Sequence, residues 1–476
     1  MCFNKKAGTI TLLLIVFAPA SSAASRYFFD QGPANQDTAY QKHASQKSST
    51  RKSGPLNSKP QNSQPVSKNK TSIKITTNIR TRYEYFDNQL GSEQQVDDVV
   101  VTRVSSKLTL QKGAFALDAE LVDSRIFKAS EFTPLGTDDI NTTEPTQLSI
   151  SWKSQIYDRN KTSEPPELSL KVGRFTMDIG SRRFVARNRF RNTLNTFDGL
   201  KVDYRKESFS TSFFYTFPVS RLPERYTEES TSEFELDKSS TDQRFYGVLS
   251  EVETARGSLA FYAFRDSYTG TDTVNQTSLK PNTQRNTFGH LAQLSVTKNI
   301  TLDYEVAFQR GKLGFHTIKA GFIHAAVTTS LENLNIQFFF DKATGDDPTT
   351  DTYEGFSTLY GARRFEFGPT GIFGLFARDN MNSPGISTQI AINEYAELQL
   401  KYRYFTIHRS GNSGRLNGSP LADHDFLGAL AELRLRINVN PNLRVETGFA
   451  NSRLNEALLL SQPINHYGYL QSTYSF

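Results

Sequence analysis

The sequence is poor in three residue types and contains no long hydrophobic run. Its 476 residues include one cysteine, one tryptophan and three methionines. No stretch approaches the roughly 18 consecutive apolar residues of a membrane-spanning helix, so helical membrane insertion is excluded. A single cysteine, Cys2, leaves the chain without an intramolecular disulfide.

Aromatic residues are abundant instead. The chain has 20 Tyr and 36 Phe, yet its mean hydropathy is −0.50. A chain of this length forms either two or three soluble domains or one large closed β-structure. The composition favours the closed structure, because a membrane barrel combines a thin outward apolar band with a polar interior. The net charge of +6 hides local clustering and decides little.

Residues 1–24 have the pattern of a secretory signal peptide. Two lysines precede the apolar run 10–17, and the small residues of APASSAAS follow it. Charged, hydrophobic and cleavage regions therefore occur in the usual order, with cleavage expected near Ala23 or Ala24. The removed peptide contains Cys2.

Residues 25–70 form a separate basic region. They are rich in Ser, Lys, Gln and Pro and nearly free of apolar side chains, so they cannot bury enough surface to offset their ordering entropy. We expect a disordered periplasmic extension. It is either a solvated tether or an electrostatic contact for anionic lipid headgroups or a periplasmic partner.

From residue 71 to the C-terminus, apolar and polar residues alternate. In SIKITTNIRTRYEYF, for example, Ile73 and Ile79 fall on one face, and Arg80 and Glu84 fall on the other. A period of two indicates a strand between an apolar medium and water, but the strands of a soluble sandwich alternate too. The length of the alternating runs distinguishes a membrane barrel from a soluble sandwich, because many runs reach ten residues. This length is typical of membrane strands of about 9 to 11 residues, whereas soluble strands have about 5 or 6.

Short and long connections also alternate along the chain. Eight turns are predicted near QKGA, DRNKTSEPPE, RKES, TARG, TKNI, SLENL, INEY and NPNL. The predicted outer loops are residues 88–97, 128–145, 176–194, 219–240, 269–284, 343–382 and 409–423. Eight inner turns between periplasmic termini require about 18 antiparallel strands. Residues 71–476 are therefore predicted to form an all-β transmembrane barrel of the bacterial outer membrane, and the C-terminal Phe476 on an alternating strand resembles the recognition signal of such barrels.

Residues 173–199, GRFTMDIGSRRFVARNRFRNTLNTFDG, concentrate positive charge. They contain six arginines against two aspartates and lie between two predicted strands, so they form an outer loop long enough to fold inward. A barrel of this size encloses an aqueous channel unless loops fill it, and lining charges decide its selectivity. The guanidinium fork pairs bidentately with carboxylates, so the loop predicts a channel for carboxylate-bearing solutes.

The chain also resembles the alginate export porins of the outer membrane. The resemblance extends from about residue 72 to Phe476 and is strongest over 172–204, 338–380 and 430–450. The first piece has the Gly-Arg, Gly-Ser-Arg-Arg and Phe-Asp-Gly elements of that family. The second is similar to its Asp-x-Ala-Ser-Gly-Asp motif, with Thr344 where Ser is usual. The resemblance implies an electropositive pore that passes an acidic polysaccharide such as alginate, and it favours export. Residues 25–70 are not part of the family pattern.

The predicted pore-lining residues come from this loop, from lumen-facing strand positions and from a second outer loop. The cationic set is Arg80, Arg103, Lys107, Arg174, Arg182, Arg183, Arg187, Arg189, Arg191, Arg363 and Arg364. The acids expected to orient these cations are Asp178, Asp198, Asp203 and Asp341. Arg363 and Arg364 lie in the glycine-rich loop 343–382, which is long enough for an outer lid.

A purely structural role is an alternative for every one of these residues, because lumen faces of barrels often carry oppositely charged side chains that only neutralise each other. Arg434, Arg436, Glu432, Arg444 and Glu446 have that pattern. For the cluster 182–191 a purely structural role is less well supported, since no run of acids lies nearby in the sequence to neutralise it.

Other functions fit less well. The histidines are scattered and no spacing singles out a nucleophile and base, so we expect no enzyme and no cofactor. The acidic segment DKATGDDPTTD lacks the ligand spacing of an EF-hand, and a loop calcium ion stays an open alternative. The export signal argues against nucleic-acid binding.

The alternatives to a polysaccharide channel are a porin for small anionic solutes or oligosaccharides and a closed adhesion or receptor barrel. The expected partners are an anionic polyuronate, outer-membrane lipid and periplasmic export components, with the barrel itself a monomer.

Overall fold

The computed structural model describes residues 71–87, 96–129, 139–155, 165–222, 234–270, 281–369, 376–410, 421–458 and 464–476. The predicted signal peptide (1–24) and basic extension (25–70) lie outside the described residues. The described chain is almost entirely strand. Its strands are β1 (Thr71–Asp87), β2 (Val96–Lys112), β3 (Phe115–Phe127), β4 (Asn141–Gln155), β5 (Glu167–Phe175), β6 (Phe197–Lys206), β7 (Phe209–Ser220), β8 (Lys238–Ser239), β9 (Gln243–Thr254), β10 (Gly257–Tyr268), β11 (Thr283–Ser295), β12 (Ile300–Leu313), β13 (His316–Ser330), β14 (Leu334–Ala343), β15 (Thr352–Tyr353), β16 (Met381–Ala391), β17 (Ala396–Ile407), β18 (Phe426–Asn438), β19 (Leu443–Leu454) and β20 (Ile464–Ser475).

The sheet closes on itself. Two of the 20 strands, β8 and β15, have only two residues each. The other 18 strands each pair antiparallel with the long strand that follows in the chain. The first and last strands also pair, with Arg80 opposite Thr473. Closure leaves the sheet no unpaired edge. The expected barrel of about 18 strands is confirmed. Among the described residues no helix has the length and apolar character needed to cross a membrane.

The two faces of each strand differ in the way that the alternation predicts. On β1, Ile73, Ile75 and Tyr83 are exposed on the outside, whereas the side chains of Arg82 and Glu84 are buried towards the interior. Apolar side chains therefore face outward and most charges face inward, as in outer-membrane barrels.

Seven of the predicted inner turns are present, and most of the eighth, DRNKTSEPPE, lies outside the described residues. The outer connections differ from the prediction at two places, because β12 and β13 join through the two residues Gly314 and Phe315, and residues 455–463 join β19 to β20. Gly314 has φ 58°, a left-handed conformation that suits glycine in a tight hairpin. The first connection was not predicted, because a two-residue hairpin carries no long polar segment.

Two of the outer loops enter the barrel. We call residues 176–196 the arginine loop and the described part of residues 344–380 the second inner loop. Isolated bridges join Ile179 to Val185 within the arginine loop and Val185 to Tyr360 between the loops. The expectation of an outer lid is therefore wrong for the described part of the second loop, which packs against lumen-facing strand residues. Its one-turn helix α1 spans Arg364–Phe367.

Candidate functional site in the barrel interior

The arginine loop is held on one side of the barrel by aromatic packing. Phe184 lies 5.9 Å from Tyr262 on β10, 5.7 Å from Phe322 on β13 and 5.7 Å from Phe356 of the second inner loop, measured between ring centroids. Phe184 is buried, and pairs of this geometry add to the free energy of apolar burial. The arginine loop therefore has its own hydrophobic anchor inside the lumen.

Backbone hydrogen bonds join the two inner loops. The amide of Tyr360 donates to the carbonyl of Phe184 at 3.0 Å, and the amide of Ala186 donates to the carbonyl of Tyr360 at 3.1 Å. At Gly361 a Cβ atom would lie 1.7 Å from the carbonyl oxygen of Arg183. Only glycine permits this approach, so the joining of the loops depends on residue 361.

Carboxylates from distant segments neutralise Arg183. Its Nε lies 2.5 Å from Glu366 and its Nη1 lies 3.1 Å from Glu305 on β12. Burial lowers the pKa of Arg183, but the two carboxylates outweigh burial and raise the pKa above its ordinary value. Arg183 thus stays charged and ties both inner loops to the wall.

Further ion pairs fix the second inner loop. Glu366 of α1 also pairs with Arg378, and Arg364 lies 2.5 Å from Glu432 on β18. Burial raises the pKa of Glu366, but the guanidinium groups of Arg378 and Arg183 outweigh it and hold that pKa below its usual range. The Lys401 ammonium donates to the carbonyl of Phe365. The helix is therefore anchored at three successive residues.

Two more arginines of the predicted set have acidic partners. Arg187 lies 2.6 Å from Glu120 on β3, and Arg174 lies 2.6 Å from Glu144 and 2.8 Å from Asp198. The expectation that acids could not neutralise the cluster is wrong, because Glu120, Glu305 and Glu366 come from segments far away in the sequence. No local pattern identifies these carboxylates as partners.

Arg80 and Arg103 have a different environment. They lie directly opposite each other on β1 and β2, on the lumen face. Arg80 donates to the carbonyls of Arg189, Phe190 and Arg191, each at 3.0 Å. Arg103 donates to the carbonyls of Arg189 and Arg191 at 3.2 and 3.0 Å. Arg80 also donates to Oδ1 of Asn192 at 2.7 Å. Within the described part of the chain neither arginine forms a salt bridge, although Glu84 acts electrostatically on Arg80 and Glu120 on Arg103.

The tip of the arginine loop also inserts a ring between two cations. The ring of Phe190 lies 4.3 Å from the guanidinium carbon of Arg82 and 4.4 Å from that of Arg364. Tyr469 packs at its edge with centroids 5.8 Å apart. Phe190 therefore joins the arginine loop both to the barrel wall and to the second inner loop.

The other predicted residues lie around these contacts. Arg189 pairs with Asp178 at 2.7 Å and keeps 49% of its side chain exposed, more than the other paired loop arginines. The remaining predicted residues make contacts that include Lys107 with Asp118 at 3.5 Å, Asp203 with Lys201 at 2.5 Å, Arg182 with the ring of Phe365 at 5.6 Å, Arg191 with Asn195 at 3.2 Å, and Asp341 with Arg403 and His324. Arg363 is the N-cap residue of α1.

The structure thus brings Arg80, Arg103, Arg187 and Arg189 to one side of the lumen, where Arg187 and Arg189 act electrostatically on Arg103. Whether these residues line a conducting pore stays a prediction. The pairing expected for Arg436 and Glu446 is confirmed at 3.1 Å.

One buried group in the described chain has ligand atoms close enough for a metal, namely His324, Asp341 and Glu366. These atoms already have partners. The two ring nitrogens of His324 contact Asp341 at 2.7 Å and Asp303 at 3.2 Å. The carboxylates of Asp341 and Glu366 pair with Arg403 and Arg378. A cation would have to displace these arginines, so the group fits an ion-pair network better than a metal site. The expectation of a loop calcium ion is untested.

With the barrel and its inner loops described, comparison with known proteins settles the family. The profile of the alginate export family matches residues 71–453, which is most of the chain. The chain belongs to the alginate export family. No curated protein sequence matches it.

Several solved structures have the same fold. OpdQ of Pseudomonas aeruginosa is 13% identical with a TM-score of 0.55, and the alignment covers 85% of this chain and 97% of OpdQ. The outer membrane protein OpdK of the same species is 13% identical with a TM-score of 0.56, covering 85% and 98%. OccAB3 of Acinetobacter baumannii is 12% identical with a TM-score of 0.56, covering 84% and 99%. At these identities the likeness establishes the fold alone. Membership of the alginate export family, together with the closed barrel, makes the chain an outer-membrane channel protein.

Proposed function

We propose that this alginate export protein passes an anionic polysaccharide such as alginate by facilitated diffusion, in the direction of export. The observation that carries the proposal is Arg103, which is part-exposed on the lumen face without a carboxylate partner and lies opposite the buried Arg80. Like charges directly opposite each other across two strands are destabilising. A carboxylate of a passing solute would relieve this repulsion.

The neighbouring charges support a path for a polymer rather than a single tight site. Arg189 is half exposed beside Asp178, and Lys107 lies two alternate positions below Arg103 on β2. A polyuronate presents about one carboxylate per sugar, so one carboxylate would leave a cation as the next arrives. Conduction requires binding that is weak and repeated. Asp178 and Asp118 keep each cation from holding the polymer too strongly.

A second candidate function is a porin for small anionic solutes or oligosaccharides. The observation that favours it is the pair of inner loops, which are anchored by buried ion pairs and occupy part of the lumen. A narrowed lumen with the same arginines would suit small solutes that carry one carboxylate or a few. A polymer would then need the loops to move.

The test is single-channel conductance of the refolded barrel in planar bilayers with polymannuronate or a neutral glucan added. We expect anion selectivity, block by polymannuronate alone, and block at least tenfold weaker in Arg103→Gln. The matched control is Arg256→Gln, an exposed arginine in the turn between β9 and β10. Conductance indifferent to both polymers would favour the small-solute porin, and no conductance at all would favour a closed adhesion barrel.

The remaining partner assignments are also proposals. The pairing of β1 with β20 closes the lumen within one chain, which supports a monomer. Periplasmic export components and residues 25–70 are proposed to meet at the turn end of the barrel, where β1 begins.

A further inference from the structure

A group of cations lies on the outer wall of the barrel at the loop end of β10–β14. Along β12 the inward residues Glu305, Ala307 and Gln309 are buried, so the intervening residues face outward. These outward residues run in order Leu302, Tyr304, Val306, Phe308, Arg310 and Lys312. The apolar band thus ends at Phe308, and two cations follow directly.

The adjacent strands repeat the change from apolar to basic residues towards their loop ends. Lys319 on β13 lies opposite Arg310, and Asn286 on β11 lies between Arg310 and Arg265 of β10. Lys342 on β14 lies opposite the exposed Ile323. We call Arg265, Arg310, Lys312, Lys319 and Lys342 the outer basic patch.

The patch has no internal counter-charge. None of its five cations forms a salt bridge with a carboxylate of the described chain, and the carboxylates that follow β14 pair with none of them. No outward position of β10–β14 carries an acid. Arg310 and Lys319 are like charges directly opposite each other, an arrangement that disfavours the sheet unless an anion lies between them.

The surroundings specify the chemistry of that anion. Phe308, Phe288 and Phe340 are exposed immediately on the membrane side of the patch. A ligand that covers both surfaces must join apolar chains to an anionic headgroup. The loop end faces the cell exterior when the chain termini lie on the periplasmic side, so this ligand belongs to the outer leaflet. A polysaccharide leaving the lumen emerges on the other face of these strands and would not cover the phenylalanines.

We propose that the outer basic patch binds the phosphate groups of a phosphorylated lipid of the outer leaflet, with the acyl chains on the adjacent phenylalanines. Lys and Arg side chains at a membrane surface attract anionic headgroups, and guanidinium groups hold phosphate bidentately. The site is separate from the lumen and does not depend on the proposed transport function.

The experiment compares lipid binding by purified barrels in a neutral detergent, using native mass spectrometry and thermal shift. The probes are diphosphorylated lipid A, fully dephosphorylated lipid A, inorganic pyrophosphate and polymannuronate. The variant is Arg310→Gln with Lys319→Gln. The matched control is Arg256→Gln with Lys298→Gln, which removes two exposed cations at the opposite, turn end of β9–β12.

We expect diphosphorylated lipid A to bind the wild type and the control equally and the patch variant roughly 30-fold more weakly. Unchanged single-channel conductance in the patch variant would verify that the barrel is folded. Three results would overturn the proposal: equal binding of dephosphorylated lipid A, undiminished binding by the patch variant, or displacement of the lipid by polymannuronate. Pyrophosphate binding as tightly as the lipid would exclude the acyl contacts.

Discussion

The contact of Phe190 with two arginines makes a prediction about the mobility of the arginine loop. Arg82 and Arg364, at 4.3 and 4.4 Å from the ring, are only 2% and 4% exposed. A cation over an aromatic face contributes about 0.5–1 kcal/mol when exposed and about 2 kcal/mol when desolvated. The edge contact with Tyr469 adds roughly 1 kcal/mol. Replacing Phe190 with Ala should therefore lower the free energy of loop opening by about 3–5 kcal/mol.

Not all of the loop would be released. Opening of the tip must also break the hydrogen bonds that Arg80 donates to the carbonyls of residues 189–191, whereas Phe184 still anchors the other part of the loop. The tip should instead open locally. A loss of about 3 kcal/mol raises the open population roughly 100-fold.

Two assays detect such opening. In planar bilayers, Phe190→Ala should show frequent transitions to a larger conductance that the wild type lacks. Hydrogen exchange should accelerate at the amide of Asn195, which donates to the carbonyl of Arg187 at 3.1 Å. Phe190→Leu is the matched control, because it keeps apolar volume but loses the ring face and should lie between the two. Identical conductance and exchange in Phe190→Ala and wild type would refute the reasoning.

Two further predictions concern the joining of the inner loops. Gly361→Ala places a Cβ 1.7 Å from the carbonyl of Arg183, so it should separate the loops and lower the thermal transition measured by heat modifiability on gels. Gly468→Ala, whose Cβ would meet no atom within 4 Å, is the control and should melt like wild type. Glu366→Gln leaves Arg183 and Arg378 with less counter-charge and should cost about 3–5 kcal/mol in denaturant unfolding, as does breaking a buried pair from one side. Unfolding at the wild-type midpoint would mean that the remaining acids, Glu305 and Asp303, suffice for Arg183.

Much of the barrel could be predicted from local sequence patterns. Alternation depends only on neighbouring residues, so Ile73, Arg80 and Glu84 could be assigned to their faces before any pairing was known. The inner turns were found because Gly, Asn and charged residues interrupt that alternation at regular spacing. The hairpin at Gly314 was not predicted, because a two-residue turn interrupts the alternation too briefly to be recognised.

The partners of the arginines could not be read in this way. Arg183 and Glu366 are 183 positions apart, and Arg187 and Glu120 are 67 positions apart. Closure of the sheet and entry of two loops bring them together, and each step depends on contacts across the whole chain. A cluster that looks unneutralised in sequence can therefore be neutralised in space.

By itself the sequence determined the strand alternation, the number of strands, the membrane in which they fit and the concentration of arginine between β5 and β6. Period-two patterning and composition act over a few residues, so these properties needed no tertiary information. Only the tertiary structure decided which arginines are neutralised, because charge balance depends on distances between segments. It also placed the second loop inside the lumen and left Arg80 and Arg103 facing each other without a carboxylate, since strand register sets which side chains lie opposite.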